Sequence, residues 1–379
     1  MSKVKCQKSK VLVALSGGVD SSVAAFLLKK QGYDVAGAFM KCFNLDGCAV
    51  TDAEDARRVA SHLDIPFYTF DFEEEYKKRV VEYMIKGYKK GITPNPDVMC
   101  NKKVKFDLFL KQAQKMGFDF IATGHYARLE FRIKNLEYRG RNKKTHSLNS
   151  KSYILYSARD TNKDQTYFLW TLTQDVLRHC LFPIGDYIKP EVRKIAKKAG
   201  LLTAEKKDSQ GICFLGKVSI AGFLKKYIKP KKGDILDTKG NKLGEHEGIY
   251  FYTIGQRHGF KIKTKGTETK PHYIVSKNIK TNTLVVAEEN APALFKKELA
   301  LKNMNLVNPK TISLIRANKG YKTFARVRYR QPLQSAIVQL TNLQTYKLIF
   351  AVPQKFIAPG QSAVLYSKTG ELLGGGIIQ

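Results

Sequence analysis

Acidic side chains are scarce: 33 Asp and Glu stand against 66 Lys and Arg, an excess of +33 charges. An imbalance of this size favours a polyanionic partner, although lysines strewn along the whole chain are also what a generally lysine-rich composition gives. Long apolar runs are absent, and no stretch approaches the roughly 20 residues of a membrane helix, so a membrane partner is not expected. The opening "MSKVKCQKSKVLVALSGG" has basic residues before a short apolar run, but neither a cleavage-site pattern nor an Arg-rich transit segment. The expected location is cytoplasmic. Cysteine is sparse: Cys6, Cys42, Cys48, Cys100, Cys180 and Cys213 are the six in 379 residues, and no Cys-x-x-Cys occurs. That excludes a disulfide scaffold, an ordinary zinc ribbon and a thioredoxin-type pair, and leaves reduced thiols.

What is present is a chain long enough for two or three domains, with 43% hydrophobic residues to build their cores. "VLVAL" (11–15) reads as a buried parallel strand, "VDSSVAAFLLKKQG" as a helix stopping at Gly32, and "DVAGAFM" as the next strand. "TDAEDARRVASHLD" is a predicted helix with Thr51 and Glu54 at capping-box spacing. "IPFYTFDF" returns to strand, and charged helical periodicity runs from Glu73 to Lys90. A Pro-Asn-Pro loop, a helix over 104–116 and the strand "FDFIATGHY" follow. The alternation predicts a parallel α/β sheet with helices on both faces. Residues 132–152 are basic and aperiodic and read as a flexible, passive surface insertion. Helical segments are expected at 164–180 and 190–200, then short strands and hairpins, and finally a β-barrel or sandwich. The implied division is 1–215, 216–294 and 295–379.

The sharpest short motif is "SGGVDSS", Ser16 to Ser22, between the first strand and the first helix. Two glycines let backbone amides approach an anion, the helix start adds its positive dipole end, and three serines add hydroxyls. No Gly-x-x-x-x-Gly-Lys-Ser/Thr occurs, so this is not a Walker-type loop. It resembles the pyrophosphate-binding loop of the N-type ATP pyrophosphatases, which split ATP between its α and β phosphates. That loop alone fits nucleotide and amino-acid synthetases, tRNA lysidine formation and tRNA thiolation.

Two cysteines stand in loops unlike the surroundings of a buried small hydrophobe. Cys100, in "PNPDVMCNKKVKF", follows Asp97 and precedes Lys102, Lys103 and Lys105; Cys213, in "KKDSQGICFLGK", is again flanked by glycine and lysines. Nearby cations enrich the nucleophilic thiolate. Cys180 in "HCLF" suits the core, and Cys6, Cys42 and Cys48 receive no role.

Taken in order, "SGGVDSS", "GAFMKCF", "TPNPDVMCNKKVKF", "TGHYAR", "KDQTYFL", "KKDSQGICFLG", "FYTIGQRHG", "RVRYRQ" and "APGQSAVLY" span nearly the whole chain. Together they resemble the tRNA-specific 2-thiouridylase family. The resemblance implies a nucleotide-binding α/β domain, a small central domain and a C-terminal β-barrel, the latter two contacting tRNA. It places ATP on Ala14, Leu15, Ser16, Gly17, Gly18, Val19, Asp20 and Ser21, with Met40 and Gly124 as further contacts and Mg²⁺ entering with ATP near Asp20. It makes Cys213 the persulfide carrier, Cys100 the nucleophile and Asp97 an acid or base: the persulfide's terminal sulfur attacks C2 of the wobble uridine directly in one scheme, and in another Cys100 attacks the persulfide, releases hydrosulfide and leaves a Cys100–Cys213 disulfide. Asn95, Pro96 and Asp97 would touch the target base. His125, Lys163, Asp164, Gln165, Arg328, Tyr329 and Gln361 would touch the rest of the tRNA. No iron–sulfur cluster is expected, and a protein sulfur donor is, either a cysteine desulfurase or a persulfide relay. "DSQGIC" has Gln210 and "KDQTYF" has Thr166 where the family commonly shows Thr and Ser, both polar exchanges. The competing readings are a small-molecule adenylating ligase, which needs no pair of loop thiols, and a non-reacting RNA-binding module.

Overall fold

The computed structural model describes residues 8–43, 45, 47–139, 145–208, 218–262, 270–308, 311, 313–315, 320–341 and 345–379, with backbone alone at 48, 134–139 and 145–151. The first part is built on a five-stranded parallel sheet. Its strands are β1 (Lys10–Ala14), β2 (Asp34–Lys41), β3 (Phe67–Asp71), β4 (Phe120–Ala122) and, after a hairpin of β5 (Ala127–Arg139) and β6 (Thr145–Ser157), β7 (Cys180–Leu181). The order is β3-β2-β1-β4-β7, which puts β1 at the centre. Strand alternation divides the side chains of β1 between two cores. Val11 and Val13 pack with α1 (Val19–Lys30) and α2 (Cys48–His62), whereas Leu12 and Ala14 meet Phe106, Phe109 and Leu110 on the opposite face. Helices therefore cover both faces, as the alternation predicts.

Four local expectations are corrected. Helix α2 starts at Cys48 with Gly47 at φ 74 as its cap, so Thr51 and Glu54 lie inside the helix and form no capping box. Glu54 instead pairs with Arg57 and Arg58 at 2.9 and 3.1 Å. The basic insertion is a regular hairpin, paired from Ala127↔Ser157 to Arg139↔Thr145, because its backbone groups find each other whatever the side-chain period. The 164–180 stretch is not one helix. It holds a single tight turn (Thr166–Phe168) and the short helix α5 (Gln174–Leu177), and ends in β7. Tyr167, Leu169, Trp170 and Leu172 are buried against the sheet and the barrel instead of sharing one helix face. Finally, the helix after the Pro-Asn-Pro loop starts eight residues early.

That early helix and its predecessor carry the next domain. Helix α3 (73–89) follows β3, and α4 (96–115) precedes β4; each includes a widened, π-type stretch, Lys77–Val81 and Asn101–Leu108. Such turns recur at functional sites. Tyr76, Val80, Met84, Tyr88 and Val104 of these helices share one core with Phe223, Ile235, Ile274 and Val286 of the central domain. The first part also includes α6 (Lys189–Lys198), whose Val192 and Ala196 join the core of α1 and α2. The central domain consists of α7 (Ile220–Leu224) and strands β8 (Gly233–Leu236), β9 (Lys242–His246), β10 (Lys261–Ile262), β11 (His272–Asn278) and β12 (Thr283–Glu288), in the order β10-β9-β8-β12-β11.

The C-terminal part is a closed barrel, not a sandwich. Strands β13 (Phe295–Leu306), β14 (Tyr321–Arg326), β15 (Gln334–Leu340), β16 (Tyr346–Lys355), β17 (Ser362–Tyr366) and β18 (Leu372–Ile378) close in the order β13-β16-β15-β14-β17-β18. It docks on the first part through polar ties set in apolar surroundings. Trp170 Nε1 donates to Ser362 Oγ at 3.0 Å, Tyr167 Oη to the Ser362 carbonyl at 2.9 Å, and the Asp164 carboxylate pairs with Arg326. The last pair is 2% and 6% exposed, so losing either partner would strand a charge in the interface. Among the described residues no helix is long and apolar enough to cross a membrane.

Candidate active site

The phosphate loop forms where β1 ends at the sheet's centre. Leu15 is buried, and its N–H donates to the Ala38 carbonyl, continuing the sheet one residue beyond β1. Gly17 then takes φ +72, and a Cβ there would lie 2.4 Å from the Asp52 carbonyl oxygen. Gly18 caps α1 with no side-chain hydrogen bond, so no side chain closes off the first-turn amides. Ser21 ties the loop to itself: its Oγ accepts from the Ser16 N–H at 3.1 Å and donates to the Gly18 carbonyl at 3.1 Å. Val19 points into the core. Gly124 meets the loop from the end of β4, where a Cβ would lie 2.6 Å from the Ser21 nitrogen. The structure thus brings Gly124 onto the Ala14–Ser21 loop, and Met40, near the end of β2, packs against the core that holds Ala14.

Asp20 leads to residues that sequence reasoning missed. Its carboxylate accepts from Tyr126 Oη at 2.8 Å and from Lys189 Nζ at 2.8 and 2.9 Å. Lys189, 9% exposed, also pairs with Asp208 at 2.7 Å, and Asp208 in turn takes Lys163 and Arg193. Burial would raise the Asp208 carboxyl, but its lysine partners prevail and hold it down to about 2. Lys189 lies 169 positions from Asp20 in an unremarkable basic context, and Asp208, 188 positions from Asp20, stands in the Cys213 motif, where its ionic role was not read. Both Asp20 oxygens are engaged by Lys189, and among the described residues no three His, Cys, Asp or Glu cluster at metal-binding distance. A magnesium ion entering here would find its ligands chiefly on the triphosphate.

The second half of the site is the start of α4. Asn95 caps it by accepting from the Val98 N–H at 3.2 Å, and Pro96 occupies the first helical position, where its missing N–H costs nothing. Asp97 lies in the first turn, half-buried; desolvation pushes its carboxyl up, with Lys105 opposing. Cys100 is only 5% exposed, at odds with its exposed-looking sequence context, because the early helix turns it into the core shared with the central domain. Met40, Met99 and Val218 border that same core, which brings the nucleotide-side methionine and the cysteine into one cluster. Asn101 Nδ2 donates to the Asp97 carbonyl at 3.1 Å, while its buried Oδ1 has no partner. Cys213 lies outside the described residues. The chain enters that segment at Asp208, in the ionic cluster beside the loop, and leaves it at Val218, in the core of Cys100.

The expected tRNA residues divide by burial. Gln361 Nε2 donates to the Thr93 and Pro94 carbonyls at 2.9 and 3.2 Å, so the barrel positions the Asn95–Asp97 segment. Arg328 donates to the Ile254 and Phe356 carbonyls, joining central domain to barrel. Asp164 is committed to Arg326, and Gln165 Oε1 accepts from the Tyr126 N–H at 2.9 Å. His125 is buried among Phe106 and Phe182, shares a hydrogen bond with Thr123 Oγ1 at 2.8 Å, and is held neutral by desolvation. Tyr329 packs against Phe168 with the rings tilted by 49° and centroids 4.6 Å apart, and is half-buried. Lys163 is the one cation in the Lys163–Gln165 run, and Asp208 holds it.

Three family models match successive parts of the chain. Residues 9–217 match the tRNA methyl transferase HUP domain, 221–288 the tRNA methyl transferase PRC-barrel domain, and 296–378 the aminomethyltransferase beta-barrel domain. A tRNA-specific 2-thiouridylase MnmA of Staphylococcus epidermidis is 43% identical over 367 residues, covering 95% of this chain and 92% of that protein. The chain belongs to the tRNA-specific 2-thiouridylase family. A Geobacillus kaustophilus member is 44% identical over 95% of this chain and 93% of its own, and a Clostridioides difficile member 42% identical over 98% of each. The glycine-rich loop at the end of β1 lies within the residues that match the HUP domain.

Proposed function

We propose that this protein thiolates a uridine of tRNA, at the wobble position, through an adenylated intermediate. The observation that carries the reading is the joining of two halves in one site. A phosphate cradle without a Walker lysine lies on one side, and a cysteine-bearing helix start on the other, with Met40 and Cys100 in a common core. The uridine C2 oxygen attacks the α-phosphorus of ATP, and diphosphate leaves; the oxygen now departs with AMP instead of as oxide. The cradle amides and Ser16 hold the phosphates, and Mg²⁺ enters with them. Asp97, its carboxyl raised by desolvation, exchanges the proton at the base ring.

Sulfur arrives as a persulfide on Cys213, loaded by a cytoplasmic sulfur donor protein. Either its terminal sulfur attacks C2, AMP leaves, and Cys100 then attacks the inner Cys213 sulfur to release 2-thiouridine, or Cys100 attacks the persulfide first and the released hydrosulfide displaces AMP at C2; both routes end in the Cys100–Cys213 disulfide. Cys213 is five residues from Asp208 and five from Val218, so extended chain allows at most about 18 Å from each. Both anchors border the site. Domains 216–294 and 295–379 hold the RNA, with Gln361 and Arg328 acting by fixing the Pro94–Asp97 segment and the domain junction.

The test is nucleoside analysis of tRNA after incubation with purified protein, ATP and a persulfide-charged donor. Expected products are 2-thiouridine, AMP and diphosphate, with 2-thiouridine lost in Cys213→Ser while tRNA affinity stays. AMP formation without tRNA would favour a small-molecule ligase, and a methylated nucleoside would contradict sulfur transfer.

A further inference from the structure

The three parts of the molecule meet around a cleft of about 260 Å³. Lys90 and Thr93 line it from the end of α3 and the following loop, Ile254 and Lys277 from the central domain, and Lys296 and Pro359 from the barrel. No Asp or Glu is among its walls. Lys189 and Lys206, elsewhere in the molecule, are balanced, the first by Asp20 and Asp208 and the second by Asp52 and Asp55. The three cleft lysines have no carboxylate partner among the described residues.

Lys277 is the most constrained of the three. It is half-buried, and its Nζ donates to the Tyr252 carbonyl at 2.7 Å, which leaves two of three N–H groups for another acceptor. Burial pushes its pKa down to about 8. An ammonium desolvated without a counter-ion is costly, and an anion in the cleft would offset that cost. The walls are set in advance. Thr93 donates its N–H to the Pro359 carbonyl at 2.8 Å and its hydroxyl to Thr253 at 3.2 Å, and Arg328 joins the other two domains. Gly91, at φ +73, has no room for a side chain: a Cβ there would lie 2.4 Å from Ile279 Cδ1. Thr93 also opens the segment that carries Asp97 four residues on, at most about 14 Å away.

We propose that this cleft is an anion subsite that takes a backbone phosphate of the RNA beside the target nucleotide, with Lys277 as principal contact and Lys296 at the rim. The inference rests on the tRNA reading above and adds to it where the strand next to the reacting base is gripped. Lys90 and Lys296 are exposed, so the cleft opens to a continuing chain and not only to a small ion.

The experiment uses the full-length protein and three variants: Lys277→Gln, Lys296→Gln and, as an exposed lysine outside the cleft, Lys368→Gln. Dissociation constants for tRNA are measured from 50 to 200 mM salt, with that for ATP alongside. Each cleft variant is expected to weaken tRNA binding on the order of tenfold at low salt and to lower the salt slope by about 0.7–0.9, with ATP affinity kept. Lys296 is exposed, so its variant reads the site even should Lys277→Gln fold poorly. The proposal is overturned if both cleft variants match wild type in affinity and slope, or if Lys368→Gln loses as much as they do. It is also overturned if inorganic phosphate alone shows Lys277-dependent binding while tRNA binding does not. Wild-type protein that binds no tRNA would contradict the thiolation reading itself, a failure distinct from a cleft that tRNA ignores.

Discussion

The glycine-rich loop after β1 and the start of α4, the two halves of the proposed site, are held in opposite ways. The loop is closed by neighbours: Ser21 bonds Ser16 and Gly18 within five residues, and Gly17 and Gly124 merely make room. The α4 start is held from afar. Gln361, 267 and 268 positions away, fixes Pro94 and Thr93, and Pro359 takes the Thr93 N–H. Nucleotide binding should therefore withstand damage to the barrel, whereas the geometry at Asp97 and Cys100 should not.

The harshest way to break this contrast is Arg326→Met. It strands the buried Asp164 charge between barrel and sheet, and should lower unfolding free energy by about 3–5 kcal/mol in denaturant titration. Below the unfolding transition the variant should keep ATP affinity and lose thiolation; a parallel loss of both would show that the loop also depends on the barrel. Next in size is Gly17→Ala. A Cβ 2.4 Å from the Asp52 oxygen forces the loop open, and ATP affinity should fall about 100-fold by calorimetry while tRNA affinity holds.

Gln361→Ala removes two hydrogen bonds to the Thr93–Pro94 backbone without touching the loop. Single-turnover thiolation should slow about tenfold at unchanged ATP affinity. The smallest effect is on acid stability. Asp208 titrates at about 2 in the fold against an ordinary 3.8. Its contribution is present above pH 4 and fades as pH falls toward 2, since the unfolded chain then binds the extra proton. Asp208→Asn should lose less stability than wild type across that window, read from acid unfolding curves.

The same contrast explains what was legible in the chain. The loop, its strand and α1 lie within 21 residues, and their periodicity and glycines declare them. The resemblance of ordered motifs supplied Cys100, Cys213 and Gln361 by position, but not their burial or partners. Reading Cys100 as exposed failed because the helix begins at Pro96 and the central domain covers it, a tertiary fact. Lys189 and the lysine cleft were invisible for the same reason: Lys189 gains meaning from Asp20, and Lys277 from Lys90, each more than a hundred positions away. Asp208 was missed because the lysines and arginine it holds, Lys163, Lys189 and Arg193, are brought to it by the fold. The 132–152 stretch misled differently, since its polar composition concealed a backbone pairing that needs no apolar period.

Central to the account is the convergence of two thiols beside an activated uridine. The most direct measurement is peptide mapping of the protein after a single turnover with charged donor, ATP and tRNA in the absence of reductant. The account predicts a Cys100–Cys213 disulfide in proportion to the 2-thiouridine formed. A full yield of 2-thiouridine with both cysteines still reduced would contradict it.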